Sequence, residues 1–317
     1  MKSVSLAVIG GGPAGLSAAI AAAQAGVRVS LIDEGPSPGG QLRYRVAPVA
    51  LPEGGPVPAD QLTRELVEQA TSAGVETIRD ARVWAMFPDR ILAIEQGERS
   101  WLLRAEQVVV ATGSVDLPVP FPGWTLPGVL TACAIWEFLH VHRVLPGRRF
   151  AVIGDGPIAD AIAREVESAG GEVVTRIEAR VVMEHGRVEG DTGVVALVVG
   201  DQRVAVDTVV IAAGRQPDAQ LALMAGCAAT FDPAQCTWAP ERNDVLQTSI
   251  PGVFVAGDAG QPCDVRVALA EGHLAGLAAA ASLGFPVEDG LVTARAMLQE
   301  ARARSDMPGE RLPAATR

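Results

Sequence analysis

The sequence of 317 residues predicts an α/β fold of two Rossmann-like domains, the second one shortened, each with three-layer ββα architecture. Three observations predict it. The apolar strand Val4-Ser5-Leu6-Ala7-Val8-Ile9 runs straight into Gly10-Gly11-Gly12-Pro13-Ala14-Gly15. The same form returns where Phe150-Ala151-Val152-Ile153 meets Gly154-Asp155-Gly156-Pro157-Ile158-Ala159, with Ala159 in the place of the third glycine. A late apolar strand, Val253-Phe254-Val255, ends in another glycine turn, Ala256-Gly257-Asp258. The length suits about two domains.

The first motif has the context that a G-x-G-x-x-G pattern needs to bind a dinucleotide. A strand precedes it and an alanine-rich helix follows over 16–25. Gly26 ends that helix and Val27–Ile32 forms a second strand. Asp33 closes this strand about 20 residues after the glycines, where a ribose-binding acid belongs. Glu34 lies one residue past that place and ranks behind it. Gly10 permits the tight turn, Gly12 lets the backbone approach a pyrophosphate, and Gly15 lets helix and strand pack closely. The helix N-terminus offers unpaired N–H groups to the negative charge. Asp258 ends the late strand where a flavin's sugar chain would lie, so the two segments together point to FAD rather than NAD alone.

Between these anchors a Gly- and Pro-rich loop over 35–58 contains Pro38-Gly39-Gly40-Gln41-Leu42. Residues 62–73 read as a helix stopped by Gly74, and 75–78 and 81–86 as strands. Val108-Val109-Val110 is a further buried strand and ends at Ala111-Thr112-Gly113. A proline-rich connection over 117–128 leads towards the second unit, which starts at Arg149. Its helix ends at Ala169; the next strand reads Val173-Val174-Thr175-Arg176 with no clear acid to close it. Residues 180–206 read as a short β-meander, and Val209-Val210-Ile211-Ala212-Ala213 returns the chain. The expected domains are 1–115 with 245–290, discontinuous and FAD-binding; 116–244, a shortened second nucleotide-binding-like domain; and 291–317, a C-terminal tail read as an exposed helix or a frayed end. Ala268–Ser282 is expected to be the last helix of the first domain.

A net charge of −11 argues against nucleic acid and anionic membrane surfaces as partners. No apolar run reaches the roughly 18 residues of a membrane span. The apolar N-terminus is the first strand of the motif rather than a secretion signal, so the cytoplasm is the expected location. The cysteines Cys133, Cys227, Cys236 and Cys263 form no C-x-x-C pair and no iron–sulfur spacing, which removes a dithiol redox centre. The histidines His140, His142, His185 and His273 are scattered, and no metal site is expected. Trp124, and the helical stretch 133–142 with Trp136, Phe138 and Leu139, read as core packing or as a contact with another chain.

Taken together, these motifs resemble those of the two-dinucleotide-domain flavoproteins of the pyridine nucleotide–disulfide oxidoreductase superfamily. The resemblance covers nearly the whole chain. It implies that FAD lies extended along Gly10, Gly12, Pro13, Ala14 and Gly15, Asp33 with Glu34, the loop Gly39, Gly40, Gln41 and Leu42, the turn Ala111, Thr112 and Gly113, and Gly257, Asp258 and Val267. It also implies a backbone contact from Val83 to the adenine, and contact of Asp258 with the ribityl chain. A narrower resemblance rests on Pro120-Phe121-Pro122-Gly123-Trp124-Thr125-Leu126-Pro127-Gly128-Val129, on Trp238-Ala239-Pro240, on Thr248-Ser249-Ile250-Pro251-Gly252, and on 258–260 with 268–276. These segments are similar to the large, or α, FAD-binding subunits of heteromeric amino-acid dehydrogenases, a family that includes D-hydroxyproline dehydrogenase, opine oxidases and hydrogen cyanide synthase.

That resemblance implies an electron-transfer subunit whose partner, a flavoprotein β subunit of the amine-oxidase type, oxidises an amine to an imine. It implies a hetero-oligomer, with FMN or an iron–sulfur centre shared with partner subunits. The cysteine-rich iron–sulfur domain of many members is missing here, so a separate small iron–sulfur subunit is the expected source of that centre. The second domain, short between Arg176 and Arg180, departs from ordinary NAD(P) sites; Gly154, Gly156, Pro157 and Arg176 are the candidates for holding ATP, NAD(P) or no nucleotide at all. No catalytic acid or base is assigned. Two other readings stay open: a stand-alone NAD(P)H-dependent flavin reductase that feeds a ferredoxin-like carrier, and a redox-silent nucleotide-binding assembly subunit.

Overall fold

The structure is a computed structural model that describes residues 1–44, 48–50, 55–233 and 237–305. Cys236 and the last part of the expected tail, 306–317, lie outside the described residues. The chain forms two compact units: unit 1 of residues 1–114 and 217–317, and unit 2 of residues 115–216.

In chain order, unit 1 opens with β1 (Lys2–Ile9), α1 (Pro13–Gln24), β2 (Val29–Ile32), α2 (Ala59–Ser72) and β3 (Glu76–Ile78). β4 (Arg82–Phe87), β5 (Ile91–Gln96) and β6 (Arg99–Val110) follow. The chain crosses through β7 (Ser114–Asp116) into β8 (Val129–Thr131), α3 (Ala132–Trp136), β9 (Arg149–Ile153), α4 (Pro157–Ser168), β10 (Glu172–Ile177) and α5 (Ala179–His185). Next come β11 (Gly186–Gly190), β12 (Val194–Val199), β13 (Gln202–Ala205), β14 (Thr208–Ile211) and β15 (Arg215–Pro217). Back in unit 1 are α6 (Gln220–Met224), β16 (Ala229–Asp232), β17 (Thr237–Pro240), β18 (Val253–Val255), α7 (Val265–Ser282) and α8 (Glu288–Ala303).

The long strand β6 explains the three layers of unit 1. Its C-terminal half joins a parallel sheet, pairing with β1 on one side and β18 on the other. Its N-terminal half pairs antiparallel with β5, which pairs with β4, so the meander grows out of the same strand. Strands covered on both faces favour apolar side chains, and all of β2 and β18 is buried; the one polar side chain among them, Ser30, donates its hydroxyl to Glu76 at 2.6 Å. Leu6, Val8 and Val109 pack with α1 and α7, whereas Ala7, Ile9, Val108 and Val110 pack towards the meander with Leu92 and Ile94. Unit 2 repeats the plan on a smaller scale. Its parallel sheet runs β10-β9-β14-β8, with α4 residues on one face and the antiparallel β11-β12-β13 on the other.

The expected boundaries shift. Residues 217–244, assigned from sequence to the second domain, belong to unit 1, because Leu221, Ala222 and Cys227 bury in the meander-side core. Residues 288–303 are a docked helix rather than an exposed or frayed tail: Ala294, Leu298 and Ala301 form a buried stripe at helical spacing. The expected meander over 180–206 begins only at Gly186, since 179–185 is α5. The helix read over 133–142 changes to a π-turn over Glu137–Val141.

Candidate cofactor site

The site forms at the N-terminus of α1, where five further segments of unit 1 converge. α1 has Pro13 in its first turn and no side-chain cap, so its leading N–H groups face outward. Gly10 sits at φ +100°, a conformation costly for any side chain, and a Cβ there would overlap the Ala111 carbonyl. A Cβ on Gly15 would strike the Gly10 carbonyl. Gly12 is different: its Cβ would meet only the Gly40 Cα, at 3.9 Å, which leaves room for a ligand's phosphate. The Gly39 N–H donates to the Gly11 carbonyl at 2.7 Å, which docks the loop on the motif, and Leu42 is buried beneath it. Gly257 abuts Ala14, and Val267 is buried in the first turn of α7.

Asp33 directly follows β2. The Gly11 N–H donates to one of its carboxylate oxygens at 2.5 Å and the Gly35 N–H to the other at 2.8 Å. Each oxygen keeps a lone pair for a ribose hydroxyl. Glu34 is exposed and paired with Arg82 at 3.1 Å. The Ala81 N–H donates to the Asp33 carbonyl, which brings the start of β4, with the buried Val83, to the same end of the site.

Burial pushes the Asp33 carboxyl above its ordinary 3.8; the Gly11 and Gly35 N–H groups oppose this, and the Glu34 charge adds to it. Asp218, next to the Ala111-Thr112-Gly113 turn, is raised by burial as well. A raised carboxyl pKa means that the folded state holds its proton more tightly than the unfolded chain does. The resulting stabilisation is complete below 3.8 and is lost as pH rises through the raised values. In the FAD-free chain, the thermal midpoint of Asp218→Asn should therefore rise relative to that of wild type as pH goes from about 4 to 7. Parallel curves would contradict this.

Asp258 is the hub at the other end. The Ser114 hydroxyl donates to its Oδ2 at 2.6 Å, and the Gln41 amide reaches the same oxygen at 3.5 Å and the Ser114 hydroxyl at 3.3 Å. The Cys263 N–H donates to Oδ1 at 3.0 Å. The Thr112 hydroxyl donates to the Asp218 carbonyl at 2.5 Å and ties down the adjoining turn. The loop at Gln41, the start of β7 and the turn after β18 are thus joined through one carboxylate.

Ser114 is absent from the sequence reading, and Glu271 enters it only as part of the segment 268–276, with no role of its own. Ser114 follows Gly113 directly, and a hydroxyl after a strand-ending glycine is its only signal. Glu271 is an acid inside an otherwise apolar stretch of α7, 3% exposed, which in itself demands a buried partner.

In unit 2, Gly154 lies at φ +145° with its Cβ position against the Ala212 carbonyl, and Gly156 is open. α4 starts with Pro157 and has no side-chain cap. Arg176 pairs with Asp160 of α4 at 2.5 Å, and both side chains of this pair are exposed. Contrary to the expectation from sequence, an acid does close this strand. β10 continues to Ile177, which pairs with Ile153. Glu178 then stands against Gly154 as Asp33 stands against Gly10, because the Gly154 N–H donates to the Ile177 carbonyl as the Gly10 N–H donates to that of Ile32, both at 2.8 Å. Stopping the strand at Arg176 hides this acid.

Elsewhere, Arg266 turns to Asp264, at 2.8 Å, and to the Arg304 carbonyl. His140 pairs with Glu165 at 2.6 Å, and burial holds the His273 pKa below its ordinary value. Cys227 is buried; Cys133 and Cys263 are partly buried. Among the described residues no cluster of His, Cys, Asp and Glu could hold a metal ion, and no helix is long and apolar enough to cross a membrane.

A family profile described as pyridine nucleotide-disulphide oxidoreductase matches residues 4–187 and 182–272. The chain is similar to an opine oxidase subunit of Rhizobium meliloti (strain 1021), 28% identical over 334 residues that cover 90% of this chain and 73% of that one. It is 29% identical to the alpha subunit of sarcosine oxidase from the same organism, over 89% of this chain and 31% of that one. Among solved structures, L-proline dehydrogenase from P. horikoshii superposes with a TM-score of 0.81 at 25% identity, over 94% of this chain and 59% of that one. The chain thus spans only part of each of these relatives.

Proposed function

The chain belongs to the pyridine nucleotide-disulphide oxidoreductase family, and from that premise we propose that it is the FAD-holding electron-transfer subunit of an assembly that oxidises amino acids or related amines. The observation that carries this reading is the convergence of five segments of unit 1 on the uncapped start of α1, with open space at Gly12 and the Asp258 hub beyond. A pyrophosphate suits those N–H groups, a ribose suits Asp33, and a ribityl chain suits Asp258. The bound flavin would supply two-electron acceptance; the residues named here hold and orient it. No C-x-x-C pair is present, which speaks against disulfide reduction. The similarity to subunits of an opine oxidase and of a sarcosine oxidase favours an amine substrate and a partner that binds it. That partner is a flavoprotein of the amine-oxidase type, with a small iron–sulfur subunit beside it.

For unit 2, Glu178 favours a ribose with free hydroxyls, as in NAD or ATP, over a phosphorylated one. A stand-alone NAD(P)H-dependent reductase is the second reading, and Glu178 is the observation that favours it.

Anaerobic reduction separates the two. The purified chain, alone and with its co-purifying partners, is offered NADH, NADPH and a panel of D- and L-amino acids that includes hydroxyprolines. Flavin bleaching by an amino acid only in the presence of the partners is expected. Rapid bleaching of the isolated chain by NADH would transfer the assignment to the reductase.

A further inference from the structure

We propose that Glu271, held between Arg242 and Arg302, is a positioning residue that sets the Gly257-Asp258 turn for the flavin, and that α8 acts on the cofactor site through Arg302. The inference rests on the FAD reading of unit 1. Glu271 lies on α7 and is almost entirely buried. The Gly257 N–H donates to its Oε2 at 2.9 Å, and Arg242 Nη1 donates to the same oxygen at 2.7 Å. Arg302 Nη2, near the end of α8, donates to Oε1 at 2.7 Å. Arg242 also donates to the Val255 carbonyl at 3.2 Å. A Cβ on Gly260 would overlap the Arg242 guanidinium, so the turn lies directly against that plane.

These contacts touch the turn on both sides of Asp258: Val255 and Gly257 before it, Gly260 after it. Gly257 is at φ +68°, and the orientation of the next residue follows from that peptide. A lone carboxylate at this depth would be costly; two guanidinium groups and one N–H make it tenable and fix both of its oxygens. Arg302 is the component supplied from furthest away in sequence. Without it, Glu271 keeps one arginine and is free to turn from Gly257 towards it, and the Asp258 carboxylate loses its fixed direction.

The test uses the full chain stripped of FAD and titrated with FAD, followed by flavin fluorescence and by the position of the visible absorption bands. Each variant is first checked for its fold by circular dichroism at the titration temperature. Arg302→Ala is expected to weaken FAD binding about tenfold and to shift the flavin bands, and Arg302→Lys to recover part of both effects. Arg304→Ala, at the C-terminal cap of the same helix and in an exposed pair with Glu300, is expected to leave both unchanged. If Arg302→Ala does not fold, Arg302→Gln is judged by the same criteria. Wild-type affinity and band positions in a folded Arg302 variant would overturn the proposal, because loss of packing alone lowers the melting temperature without moving the bands. A wild-type chain that takes up no FAD would fell the cofactor reading itself, and this inference with it; the wild-type titration identifies that case.

Discussion

Gly272→Val is expected to destabilise unit 1 by about 3 kcal/mol, the upper part of the usual range for overpacking. α1 and α7 cross with their backbones in contact. A Cβ on Gly272 would overlap the carbonyl of Ala14, and one on Gly276 that of Ala18. The two glycines are four residues apart, as are the two alanines, so a smooth strip on each helix meets its counterpart along a full turn. The facing residues are small: Ala14, Ala18, Ala21 and Ala22 of α1 and Ala275, Ala278 and Ala279 of α7 are all buried. No flexible side chain stands at Gly272 to make room, so a valine must push the helices apart. That would disturb the start of α1, where the cofactor binds, as well as the core. For a unit of this size the shift in thermal midpoint is about 6–12 °C, with FAD uptake lost in parallel. Gly55→Ala, in open space, is the control and should melt with wild type. A Gly272→Val chain that melts within about a degree of wild type would show that the helices have slack.

The legible parts of this molecule are those in which one residue type is forced by backbone geometry. Gly10, Gly15 and Gly154 could be read because a strand that turns sharply into a helix leaves no space for a side chain. Asp33 could be read because it sits at a fixed distance from those glycines. The meander of unit 1 could be read as strands, but its origin in the long β6 could not, since nothing local says that one strand carries both parallel and antiparallel neighbours. The buried partners of Glu271 were illegible for a related reason. Arg242 and Arg302 look like ordinary surface arginines, and only the fold brings them within 2.7 Å of an acid 29 and 31 residues away. Residues 217–244 read as part of the second domain because α6 and the β16–β17 pair are short, and the one recognised segment among them, Trp238-Ala239-Pro240, does not say which domain it joins. Their membership of unit 1 rests on a few buried side chains such as Leu221 and Cys227. Glu178 was hidden by a strand end misjudged by one residue, a reminder that element boundaries are less secure than element identities.

Asp258→Ala is expected to weaken FAD binding by about 100-fold, equivalent to about 3 kcal/mol, or roughly two charge-assisted hydrogen bonds. The carboxylate has two tasks. It is placed to accept from the ribityl chain of the cofactor, and it already accepts from Ser114, Gln41 and Cys263, which belong to three different segments. Alanine abolishes both tasks. Asparagine separates them: one oxygen remains to accept a hydrogen bond, but the amide cannot accept on its other arm. Asp258→Asn is therefore expected to lose about tenfold. Ser114→Ala removes the 2.6 Å hydrogen bond while leaving the carboxylate in place, and a smaller loss is expected. The order Ala, then Asn, then Ser114→Ala is the signature of a carboxylate that both contacts the flavin and gathers the loops around it. Equal losses for Asp258→Ala and Ser114→Ala would mean that the gathering alone matters. Unchanged FAD retention in Asp258→Ala would remove this residue from the cofactor site and place the flavin's sugar chain elsewhere. The cluster is only partly buried, so the FAD-free Asp258→Ala chain should melt much closer to wild type than Gly272→Val does. That contrast separates a residue that organises the site from one that organises the fold.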